Sequence, residues 1–205
     1  MLGWAPSDSE EIKPVDKIAE DFRIGEISSS NSIFEYDKLK WMNSHYIKAL
    51  PIETLKEKLK KYLTSYDLTE LSDAQYTRMV EITREPLVLL SDITDAVSYF
   101  FGGSNVKIEE EVQTSVLDLD ESQEVLKSFV EQATTWDWSE ASLHEKLEAF
   151  RGEFKEKGIK PKATMWAIRA AITGRTRGAD MTATLSILGK ENCIARAQKS
   201  IKLAV

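Results

Sequence analysis

Cysteine is almost missing from this chain, and its absence closes off several chemistries. Cys193 stands alone in 205 residues, so no internal disulfide framework exists and a reducing cytosol is the expected setting. Leu188, Ile194 and Ala195 surround it in sequence, which reads as a small buried hydrophobe rather than a nucleophile. Histidine occurs only at His45 and His144, so no Cys/His metal set can be assembled. Uninterrupted apolar runs such as Leu87–Leu90 fall far short of the ~20 residues that span a bilayer. Asp8, Glu10 and Glu11 make the first residues acidic, unlike a secretory signal or an Arg-rich transit peptide. Glycine and proline are scarce, at nine and five, and alternating apolar and polar runs are rare, which disfavours a strand-rich fold. Gly102-Gly103 lacks the Gly-Lys-Ser/Thr that would make a phosphate-cradling loop.

Charge is plentiful but unevenly placed. The net charge is −7, which argues mildly against loose, sequence-blind phosphate binding. Residues 151–205 hold 12 Lys and Arg against 4 Asp and Glu, a balance of +8, whereas residues 1–150 balance at −15. A chain divided this way can present a basic surface at one end. The acidic runs Glu109-Glu110-Glu111 and Asp118-Leu119-Asp120-Glu121 read as solvated faces or helix starts. The second is no calcium loop, because Gln123 stands where Gly is needed and Phe129 where the bidentate Glu belongs.

Helical periodicity dominates, and the fold class is all-α. Val15, Ile18, Ala19 and Phe22 form one apolar stripe, stopped by Gly25. A polar loop is expected over Ser28–Ser32. Pro51 suits the first turn of a helix carrying Ile52, Leu55, Leu59, Tyr62 and Leu63. Leu71-Ser72-Asp73 opens another, which Pro86 ends. Leu89, Leu90, Ile93, Ala96, Val97 and Phe100 predict a continuous helix up to Gly102. Helices follow over Ser122–Ala133, Ser139–Lys157 (capped by Gly158), Lys162–Ile172, Met181–Leu188 and Asn192–Leu203. The expected units are a helical segment over 1–51 and two helical subdomains over 52–106 and 107–205.

Two segments concentrate groups suited to holding a partner. Phe34–Lys48, FEYDKLKWMNSHYIK, crowds Lys38, Lys40, Trp41, Asn43, His45, Tyr46 and Lys48 together. On a helix, Leu39, Met42 and Tyr46 would pack inward while Asp37, Trp41 and Lys48 share a surface. Donors beside a flat ring suit a sugar–phosphate backbone, although spacing alone favours an amphipathic helix with a half-buried Trp41. Ile168–Met181, IRAAITGRTRGADM, brings Arg169, Arg175 and Arg177 together, with Gly174 and Gly178 freeing the backbone between helices. Guanidinium planes stack on splayed bases and donate in pairs to base edges, while a Gly-stopped helix with exposed Arg is an equal alternative.

FEYDKLKWMNSHYIK closely resembles the segment Phe-Asp-x-x-Lys-Leu-x-Trp-Met-Asn-x-x-Tyr-Ile of bacterial and organellar glutamyl-tRNA synthetases, which follows their catalytic core. Glu35 replaces the usual Asp, and Ser44 a frequent Gly. Leu2-Gly3-Trp4 resembles the family's Leu-Gly-Trp, Arg169–Gly174 its Arg-x-Ala-x-Thr-Gly, and Leu188-Gly189-Lys190-Glu191 its Leu-Leu-Gly-Lys-Glu. The four matches keep their order across almost the whole chain. The family's two ATP signatures, His-Ile-Gly-His-like and Lys-Met-Ser-Lys-Ser-like, do not occur here.

The resemblance therefore implies the stem-contact and anticodon-binding region of such an enzyme, beginning past the catalytic loop. Its expected partner is tRNA(Glu), with tRNA(Gln) as a second candidate, rather than a membrane or DNA. A cytoplasmic monomer is expected, with no catalysis and no cofactor in this chain. ATP and Mg would serve the parent enzyme. By the resemblance, Lys38, Trp41 and Lys48 contact the tRNA stem, and Asn43 bonds a neighbouring helix end. Arg169 corresponds to the Arg that contacts the first anticodon base, and Gly178, Ala179 and Met181 to the loop that walls it, with Arg175 and Arg177 nearby. Ala179 stands where Pro is common, which puts that loop's rigidity in question. Ungapped alignment places Pro86 where the family reads the third anticodon base, and Pro has no donor. Either Arg84 does the reading in a shifted register, or the third base is checked less strictly, which is the favoured alternative. A helical protein-interaction adaptor derived from the same domain is the competing reading, favoured by the acidic first 150 residues.

Overall fold

The computed structural model describes residues 3, 4, 6, 8, 10–28 and 33–201. The sequence expectations at Leu2, at 29–32 and at Leu203 lie outside them. Ten α-helices, joined by 3-10 and π turns and without strands, make up the described residues, so the all-α expectation holds.

The first third is loosely covered. α1 (Val15–Asp21) buries none of its residues, so the Val15–Phe22 stripe is not a core face. Val15 is 79% exposed, while Phe22 meets Trp4 edge-on at 5.6 Å. α2 (Tyr36–Ala49) buries Ile47 alone. The expected inward stripe is thus displaced: Leu39 and Tyr46 lie out, and Asn43 and Ile47 face the body. The Asn43 amide donates to the Val88 carbonyl, a structural bond as expected, but to the bend after α4 rather than to a helix end. This polar anchor, rather than the apolar pattern, selects which side of α2 is covered.

α3 (Ile52–Lys60) buries Leu55 and Leu59 and packs on α4 (Asp73–Thr83). Lys56 lies between them, donating to Asp73 at 2.9 Å and to the Thr77 hydroxyl at 2.8 Å. Ser72 and Gln75 form a reciprocal capping box that fixes where α4 begins. α4 ends at Thr83, before Pro86. The continuous helix expected from Leu89 to Phe100 is instead three short turns: Leu90–Asp92, α5 (Ile93–Ala96) and Ser98–Phe100. The Asp92 carboxylate caps the Val88 and Leu89 amides, and Thr94 and Tyr66 bond backbone across the turn, so local polar bonds outcompete helix continuation.

α6 (Glu110–Val112) runs into a π turn over Gln113–Leu117, an element that periodicity does not anticipate. α7 (Asp120–Ala133), α8 (Glu140–Glu156) and α9 (Pro161–Thr173) match expectation closely. Asp120 and Glu121 fill the first turn of α7, where carboxylates suit the helix dipole. α10 (Met181–Lys199) packs on α4, α7, α8 and α9, and it kinks at Gly189, whose φ of 77° breaks the helix between Leu188 and Lys190. One hydrophobic core runs from Ile47 to Ala197 and passes across position 106.

Candidate functional site

α9 stops at Gly174 because the next residue must turn sharply. Gly174 has φ 71°, and a Cβ there would lie 2.0 Å from the Lys107 carbonyl oxygen. Only glycine fits both the left-handed backbone and the close approach. The chain then crosses Arg175–Ala179 and re-enters a helix at Asp180, whose carboxylate accepts from the Ala183 amide. This crossing hangs over the bend that follows α4. Together they wall a cleft of about 750 Å³ lined by Pro86, Asp95, Tyr99, Arg175, Arg177, Gly178, Ala179 and their neighbours.

Each arginine of the loop does something different. Arg169 Nη1 donates to the Ala179 carbonyl at 2.8 Å, and its guanidinium backs Gly178, where a Cβ would sit 3.3 Å away. Burial lowers the Arg169 pKa, opposed by nearby Tyr99 and Asp180. It therefore braces the loop from behind in the unbound chain. Arg175 makes a forked pair with Asp95, at 2.9 and 2.6 Å, and also reaches the Ser98 hydroxyl. The Asp95 partnership raises the Arg175 pKa. Arg177 is exposed on the cleft lining and has no hydrogen-bond or ion-pair partner among the described residues.

The cleft thus gathers Pro86, Arg175, Arg177, Gly178 and Ala179 from distant sequence positions. Three anticodon candidates fall elsewhere, the first being Arg169, which lies behind the loop and not on the lining. Met181 is buried in the core at 5% exposure, one residue beyond the lining. Arg84 is the residue that follows the last turn of α4 and is not among the lining residues, whereas Pro86 is. Lys38, Trp41 and Lys48 lie on α2. Lys38 pairs with Glu11, Lys48 pairs with Glu85 at 3.3 Å, and Trp41 is half exposed beside His45. Glu85 also lines the cleft, so Lys48 stands at its rim.

Sequence reasoning missed Tyr99, Asp95 and Arg196. Tyr99 is nearly buried under the loop, with burial pushing its phenol pKa up and Arg169 pulling the other way. In the sequence it stands beside the apolar stripe that ends at Phe100 without belonging to it, so periodicity gives no sign of its role. Arg196, 1% exposed, donates to the carbonyls of Gly103, Tyr99 and Ile172 at 2.6–2.8 Å. It ties the end of α9, the Tyr99 turn and the Gly103 loop behind the cleft, and its apolar helical setting gives no sign of that role. Cys193 is fully buried, and burial pushes its thiol pKa up, as its small-hydrophobe reading requires. Among the described residues no cluster of three His, Cys, Asp or Glu could hold a metal, and no helix is long and apolar enough to cross a membrane.

Residues 54–201 match the family profile described as the anticodon binding domain. The chain is 30% identical to a glutamate–tRNA ligase of Natranaerobius thermophilus over 206 residues, covering 98% of this chain and 42% of the relative. It is 32% identical to glutamate–tRNA ligase 1 of Caldanaerobacter subterraneus, again over 98% of this chain and 42% of the relative. It therefore spans less than half the length of the curated relatives it matches. A solved glutamate tRNA ligase from Elizabethkingia meningosepticum shares the fold at a TM-score of 0.84 and 23% identity, over 98% of this chain and 39% of that one.

Proposed function

Because the chain belongs to the anticodon binding domain family, we propose that it is the tRNA-binding, anticodon-reading portion of a glutamate–tRNA ligase. The observation that carries this reading is the cleft between the bend after α4 and the α9–α10 loop. It offers a guanidinium without a partner among the described residues, Arg177, a second held in a fork, Arg175, and bare backbone at Gly178 beside a braced Ala179 carbonyl. A splayed base can enter such a space, stack on a guanidinium plane and meet donors on its edge. The bend contributes Pro86, which has no donor, so the third anticodon base is checked weakly and tRNA(Gln) competes with tRNA(Glu). The exposed indole of Trp41, with Lys38 and Lys48 released from Glu11 and Glu85, serves the tRNA stem. The ligase works in the cytoplasm, and glutamate activation with ATP and Mg belongs to the catalytic part of the enzyme.

Gel-shift titration at fixed salt tests the reading. tRNA(Glu) should bind more tightly than an unrelated tRNA, and Arg177→Ala should weaken binding by about 1–3 kcal/mol, by analogy with single base contacts in DNA readout. Pro86→Arg should sharpen discrimination between tRNA(Glu) and tRNA(Gln). Equal affinity for all tRNAs, with no effect of Arg177→Ala or Arg169→Ala, contradicts it. Nuclease-resistant capture of a protein partner would instead favour a helical adaptor, for which the −15 balance of residues 1–150 speaks.

A further inference from the structure

Three cavities meet at a single ion pair. The main cleft of about 750 Å³, a pocket of about 320 Å³ towards Lys107 and one of about 380 Å³ towards Glu111 are each lined by both Asp95 and Arg175. The pair is therefore a partition between them. Its geometry is the forked one, with two N–H groups on two carboxylate oxygens at 2.9 and 2.6 Å. The same fork fits the two free oxygens of a phosphodiester. The guanidinium is preset by its surroundings: Tyr99 lies under it at 5.8 Å, Ser98 accepts at 3.2 Å, and Thr173 steadies the Arg175 amide. The Asp95 side chain, by contrast, is 79% exposed and supported by little else. A firmly held cation thus faces a loosely held anion.

We propose that Asp95 is a stand-in for an RNA phosphodiester: it occupies Arg175 in the unbound chain and is displaced when the backbone of a bound anticodon loop arrives. Displacement joins the three cavities into one trench, in which a base enters the main cleft while its phosphate sits on Arg175. Asp95 then lowers affinity for any RNA and rejects weak binders, since a ligand must outcompete it. This inference rests on the RNA-binding reading and names the phosphate subsite within it.

The test is titration of the chain with tRNA(Glu) over a range of salt, using Asp95→Asn, Glu109→Gln, Arg175→Ala and the Asp95→Asn/Arg175→Ala pair. Freeing Arg175 should tighten binding roughly two- to five-fold, the scale of one exposed ion pair. The same phosphate is neutralised in wild type and Asp95→Asn, so their log–log salt slopes should match, whereas Arg175→Ala should flatten the slope by about 0.7, one phosphate fewer on a single strand. The gain should vanish when Arg175 is Ala. Glu109 borders two of the cavities without a hydrogen bond to Arg175, so Glu109→Gln removes the same charge without opening the fork. An equal gain from Glu109→Gln, or a gain that survives Arg175→Ala, reduces Asp95 to general repulsion and overturns the proposal. If Asp95→Asn binds like wild type while Arg177→Ala still weakens binding, the stand-in is wrong and the RNA reading stands. If neither wild type nor Asp95→Asn binds tRNA(Glu), both fall. Matching thermal midpoints of the variants establish that the differences arise from binding.

Discussion

Gly174 and Arg196 do most to hold the cleft's walls, and each makes a definite expectation. Gly174→Ala places a methyl 2.0 Å from the Lys107 carbonyl at a φ of 71°. Backbone must move at both places, so the cost should reach ~2 kcal/mol or more in urea unfolding. Arg196→Met should cost ~3 kcal/mol, because it strips donors from two buried carbonyls and one partly buried one at once. At this scale the sequence is partly legible. Gly174 stands out beside its arginines, and Cys193 lies among hydrophobes in the fold as it does in the chain. Arg196 and Tyr99 are not legible, because their roles depend on groups far along the chain: two of the carbonyls that Arg196 holds are 93 and 97 residues away, and the loop over Tyr99 follows α9.

Among the elements, helices with strong caps and one-sided apolar faces are readable, and those shaped by polar anchors are not. α7, α8 and α9 run close to the bounds read from the sequence, and each buries several apolar residues. α4 begins at a capping box, so Ser72→Ala should cost about 1 kcal/mol. For a chain of this size that is a fall of about 2–4 °C in thermal midpoint. The stretch from Leu89 to Phe100 shows the opposite case. Its apolar residues recur at helical intervals, yet the Asp92 cap and the Thr94 and Tyr66 bonds fold it into separate turns. Those turns put Asp95 and Tyr99 on the cleft. α2 departs from its apolar pattern for a similar reason, since the Asn43 bond to Val88 decides its orientation. Asn43→Leu should therefore loosen α2 while leaving the α7–α10 bundle folded, seen as faster amide exchange confined to residues 36–49.

For the molecule as a whole, charge sets how stability follows pH. Lys13, Asp8, Glu153 and Lys157 are held in ion pairs that shift their pKa values. Asp8 is lowered by its bonds to Lys13 and the Glu10 amide, and Glu153 by Lys157 and Gln132. Their stabilisation is present above the unfolded carboxylate pKa of about 4 and is lost as pH falls through the lower folded value. Lys13 and Lys157 are raised by Asp21 and Glu153, so their contribution holds below about pH 10 and is lost as pH rises through the folded value. A thermal midpoint that is flat between about pH 5 and 9 and falls on both sides is the expected profile. The separation of charge between 1–150 and 151–205 is legible in the sequence, but the joining of Pro86 to Arg175 and Arg177 across one cleft is not. It depends on α10 packing against α4, a contact between distant segments that no local pattern announces. The central claim is that this cleft reads an anticodon, and the most direct measurement is competitive binding of tRNA(Glu) and an anticodon-substituted tRNA(Glu) at fixed salt. Preference for the intact anticodon that disappears with Arg177→Ala is the expected result. Equal affinity for the two RNAs would contradict the account.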